Sequence, residues 1–156
     1  MTEINAAFLV PFAEALMTAL QDTSHPGSAN LLQLVYNDCE DDAPRIYPNR
    51  PQDASDGFVV IDMPFGGRTA YIHGEAGRPV AEWSRFQASA WAPTKLGSMQ
   101  IMDALLQAID GRDIVVSDAW GTVRVFKVAA PWSQEDTFNE VTMYGAGARF
   151  EVLLLT

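Results

Sequence analysis

The chain has 156 residues, 48% of them hydrophobic, with 20 acidic and 10 basic side chains and a formal net charge of −10. That apolar content is enough for one packed core, so a single domain over 1–156 is predicted, with no internal repeat or low-complexity stretch. The scattered arginines exclude a clustered cationic surface for phosphate backbones or anionic membranes, and the single cysteine excludes an internal disulfide framework.

Glu3 stands where a basic leader would need a cation, and Pro11 and Glu14 interrupt the first apolar run. Neither a signal peptide nor a membrane span is expected. Residues 4–21 place Phe8, Phe12, Leu16 and Leu20 on one helical face, with Pro11 kinking the helix or marking its true start. "TSHPGS" at 23–28 is a turn, and Ser28 is predicted to cap a second helix through Leu31, Leu32 and Val35 that ends at the acidic run 38–42. Residues 1–42 thus form a helical N-terminal part.

The proline-rich stretch 43–57 reads as an extended connector on the surface, followed by the buried strand "FVVIDM". Four glycines within 64–79 predict a mobile hairpin or arm. A strand over 80–91 then alternates, with Phe86, Ala88 and Ala90 on one face and Arg85, Gln87, Ser89 and Trp91 on the other. Thr94 should start a helix whose apolar stripe is Leu96, Met99, Met102, Leu106 and Ile109, and Gly111 should stop it. Two strands joined at "AWGT" follow, then a long final strand with a glycine-marked bend at 145–147. The predicted fold class is α+β: an antiparallel or mixed sheet backed by helices on one face.

No catalytic residue, cofactor site or metal site is predicted. Cys39 is flanked by Asp38, Glu40, Asp41 and Asp42, which disfavour a thiolate. His73 and Glu75 are two ligands without partners, and His25 has no evident task. The acidic run lacks the spacing of a calcium loop, and the glycines at 66, 67, 74 and 77 match no phosphate-binding fingerprint. Trp83, Trp91, Trp120 and Trp132 read as core or subunit-interface aromatics, with a small ligand-binding or enzymatic domain as the alternative.

Three stretches together resemble the tail-completion, or tail-terminator, family of long-tailed bacteriophages. They are "RIYPNRPQDASDGFVVID", "SRFQASAWAPTKLGSMQIMDALLQAIDG" and "TFNEVTMYGAGARFEVLLLT", so the resemblance runs from about Arg45 to the end. It implies a non-enzymatic virion protein that forms a ring, typically six-fold, closing the head-proximal end of the tail tube. The implied partners are further copies of the chain, the major tail tube protein and the head connector or adaptor. DNA would pass through the bore without specific binding, no membrane would be involved, and assembly would take place in the host cytoplasm. The alternative within the virion is an adaptor between portal and tail. Candidate interface residues on this reading are Phe65, Arg68, Tyr71, Ile72, His73, Arg78, Trp132 and Phe138.

Overall fold

The computed structural model describes residues 2–51, 56–62, 83–118, 121–129, 132–138 and 140–155. The predicted arm at 64–79 lies outside the described residues. Helices α1 (Thr2–Leu20), α2 (Pro26–Val35) and α3 (Lys95–Ile109) accompany strands β1 (Ile46–Tyr47), β2 (Phe58–Asp62), β3 (Trp83–Ala92), β4 (Asp113–Ser117), β5 (Gly121–Lys127), β6 (Trp132–Phe138) and β7 (Val141–Leu155). The α+β prediction holds, and the sheet is mixed because β1 runs parallel to β2 while the other pairings are antiparallel.

The strand order is β1-β2-β3-β7-β5-β4, with β6 also pairing to β7. β7 organises this arrangement through its length. One edge pairs with β3 over 144–153, while the other takes β6 over 141–147 and β5 over 150–155.

Period-2 alternation decides which side chains meet the helices. Phe86, Ala88 and Ala90 of β3 stand opposite Phe150, Ala148 and Ala146 of β7, all buried. Phe86 and Phe150 stack with ring centroids 5.0 Å apart, and Phe12 of α1 leans on Phe86 at 5.9 Å. The paired alanines leave a shallow floor on which α3 lies, touching β3, β7 and β5. Val59, Ile61, Val123, Val125 and Ile114 extend the same core across the sheet.

α3 begins and ends where the sequence says. The Thr94 hydroxyl oxygen accepts from the Gly97 amide at 3.0 Å, and Gly111 adopts φ +74°, a conformation glycine takes without strain. Its buried face, however, differs from the predicted stripe. Leu96 and Met99 are 65% and 52% exposed, and Leu106 is half-buried. Met102 and Ile109 of that stripe are buried as predicted, and Ser98, Ile101, Ala104, Leu105 and Ala108 face inward in place of the other three. The reason is the second neighbour: α3 meets α2 as well as the sheet, and a Cβ on Gly27 of α2 would lie 2.4 Å from the Gln107 carbonyl oxygen. Such close backbone approach selects small residues, which a stripe of large apolar side chains ignores.

Three further readings are corrected. Pro11 lies inside α1 and does not mark its start. Ser28 does not cap α2; it is fully buried, its hydroxyl donates to the Ala19 carbonyl at 2.7 Å, and His25 is the cap. The connector 43–57 is not all surface, because Ile46 is buried and β1 pairs with β2.

Candidate functional site

The face of the sheet turned away from the helices has two zones. One is aromatic: Phe58, Val60, Trp91 and Met143 are buried together, with Tyr47 packed against them. Trp91 and Phe58 stack at 6.4 Å, and Tyr47 tilts onto Phe58 at 6.0 Å. Trp91 lies across from Gly145 on β7, where a Cβ would sit 3.0 Å from its ring, so the glycine makes room for the indole. The indole N–H donates to the Ser89 hydroxyl at 2.9 Å, which satisfies both buried groups.

Trp132 occupies the equivalent place one step along. It pairs with Gly147 in register, its ring fills the space over that glycine, and the Arg149 guanidinium stands 5.7 Å from the ring centre. Arg50 spans the two tryptophan-bearing strands: its guanidinium lies 4.4 Å over the Trp91 ring and forms an ion pair with Asp136 of β6. The connector is thereby tied to the β6–β7 hairpin, whose turn residue Glu140 adopts φ 65°.

The other zone carries cross-strand ion pairs. Arg85 and Glu151 are register partners joined at 2.8 Å. Arg124 grips Asp113 with two bonds of 2.6 and 3.0 Å, which holds the Asp113 carboxyl below, and the Arg124 guanidinium above, its usual range. Outside this zone, in the loop before β1, Arg45 pairs with Asp41 four residues earlier and also donates to the carbonyls of Gly57 and Leu34. Much of the chain's modest positive charge is therefore already engaged by its own carboxylates.

A separate polar junction sits where the helices meet. Arg112, following α3, donates to the carbonyls of Ala19 at 2.9 Å and Ala108 at 3.1 Å and to the Ser28 hydroxyl at 2.8 Å. It thus satisfies end carbonyls of α1 and α3 that have no helical partner. Burial pulls its guanidinium below the ordinary arginine range, opposed by Asp22 at 3.7 Å. Asp22 accepts from the Ser24 hydroxyl and amide, which hold its carboxyl below the usual range, and Arg112 adds to this. Beside the junction an open groove runs between α1 and β4, lined by Ala15, Met17, Thr18, Arg112 and Val115 among others.

Of the residues singled out in the sequence, Phe65, Arg68, Tyr71, Ile72, His73 and Arg78 lie outside the described residues. Trp132 and Phe138 both fall on β6, the side chain of Phe138 being outside the description. Cys39 is exposed, its thiol 3.7 Å from an Asp38 oxygen to which it donates. Among the described residues no three His, Cys, Asp or Glu side chains gather as metal ligands. Arg50, Asp136 and Arg112 were not anticipated; Arg50 belongs to the "RIYPNRP" landmark, and nothing in the sequence points from it to Asp136.

Comparison with family models and with curated proteins gives no match. Among solved structures, a chain from the virion of the native gene transfer agent particle is similar in fold, with a TM-score of 0.62 and 16% identity. The likeness covers 95% of this chain and 96% of that one. At this identity it is a likeness of fold.

Proposed function

We propose that the protein is a structural virion component that forms a ring at the head-proximal end of a phage-type tail tube and joins it to the head connector. The observation that carries this reading is coverage: a virion chain shares the fold across nearly the full length of both chains. The tail-terminator resemblance from Arg45 onward points the same way, from independent features of the sequence. A closed ring uses two different patches of one subunit, so it needs no internal symmetry in the chain.

Electrostatics fits a conduit. With a net charge of −10, and Arg45, Arg50, Arg85, Arg112 and Arg124 each beside a carboxylate, the described surface offers DNA little to hold. Repulsion between like-charged subunits is screened over about 8 Å at physiological ionic strength, so ring formation should improve with salt. Native mass measurement and electron microscopy, with and without purified tail tubes, test the assignment. Rings capping the tubes are expected. A protein that stays monomeric with tubes present defeats it, and rings that bind isolated portals but not tubes would favour the adaptor role.

A further inference from the structure

His25 holds the N-terminus of α2. Its Nδ1 accepts from the Ser28 amide at 3.4 Å, its carbonyl accepts from Ala29 at 2.9 Å, and Pro26 supplies the first-turn residue that needs no amide donor. Accepting at Nδ1 requires the neutral imidazole, with its proton on Nε2. A charged imidazole would lose this bond and would stand at the positive end of the α2 dipole, in the field of the Arg112 guanidinium. Among the described residues Asp22 opposes that, its carboxylate kept ionised by the bonds it accepts from Ser24.

We propose that His25 is an acid-sensitive pin: protonation at Nδ1 removes the cap of α2 and loosens the junction of α1, α2 and α3 that Arg112 ties together. Ser28 links the parts, because its amide is the capped group while its hydroxyl bonds both Ala19 and Arg112. Ala19, Asp22 and Arg112 also line the groove beside β4, so the same event alters that wall. The inference is independent of the tail assignment. Burial, with Arg112 adding and Asp22 opposing, lowers the imidazole below its ordinary value of 6.5. The native state then binds fewer protons than the unfolded chain, so the stabilisation is full above 6.5 and is lost as pH falls below it toward the folded value.

The test compares the full chain with His25→Asn, which keeps a good capping side chain and removes the titration. Amide exchange at Ser28 and Ala29, corrected for its intrinsic pH dependence, is followed from about pH 7.5 to about pH 5, the range in which histidine titrates. In the wild type the opening equilibrium should rise about tenfold for each unit by which the imidazole is depressed, and it should stay flat in His25→Asn. An equal rise in the variant, or no rise in the wild type, overturns the proposal. So does an imidazole that titrates at or above 6.5 by NMR in the wild type, a readout that does not depend on the variant folding.

Discussion

The two faces of the sheet are built from the same strands by different means. Toward the helices, β3 and β7 offer stacked phenylalanines and a floor of alanines, all buried in one core with side chains of the helices. On the far face, two tryptophans lie over glycines and arginines span neighbouring strands in ion pairs that are partly exposed. The first face cannot change without moving the chain itself. The second combines a buried aromatic cluster, Phe58, Val60, Trp91 and Met143, with arginine ion pairs that are partly exposed.

The contrast is tested most severely at Phe150, fully buried against Phe86. Phe150→Ala should cost about 3–5 kcal/mol, because the cavity is walled by helices and strands that cannot collapse into it. A drop in stability of under about 1 kcal/mol by denaturant unfolding would mean that the face is softer than described.

Next come two adjacent positions on α3. Leu105→Ala should cost about 2–5 kcal/mol, and Leu106→Ala, half-buried, clearly less. Equal losses would restore the helix face that the sequence predicts. Gly27→Ala probes the same layer from the α2 side: the added Cβ meets backbone atoms of Gln107 and Ala108, which cannot swing away. A loss of about 1–3 kcal/mol is expected. An unchanged melting temperature would show that α2 and α3 stand further apart.

The smallest effect belongs to the far face. Arg50 and Asp136 are 30% and 50% exposed, so a double-mutant cycle should give a coupling of only about 0.2–1 kcal/mol, falling with added salt. The stronger signal should be spectroscopic, since Arg50→Ala uncovers the Trp91 ring and should shift tryptophan fluorescence while the strands stay intact. A coupling that persists in high salt would place the pair in the rigid layer after all.

The sequence by itself determined the elements whose signals are local. Alternation in 86–91 assigned both faces of β3, and Thr94 and Gly111 bounded α3 through a hydroxyl and a positive φ; the glycines at 145 and 147, read from the sequence as a bend, lie in continuous strand and make room for two tryptophans. Tertiary structure alone decided the rest. β6 is polar along Ser133–Thr137 and carries no period-2 apolar pattern; it is a strand because β7 supplies its backbone partners. β1 exists because β2 is beside it. The buried face of α3 was set by how closely Gly27 lets α2 approach, and the cap of α2 went to His25 because Ser28 was drawn inward to Ala19 and Arg112. Arg50 and Asp136 are 86 residues apart, and only chain folding brings a cation, an indole and a carboxylate into one stack. Local rules specify what a residue can satisfy within a turn or a strand, whereas burial and pairing depend on neighbours that the chain meets only after it has folded.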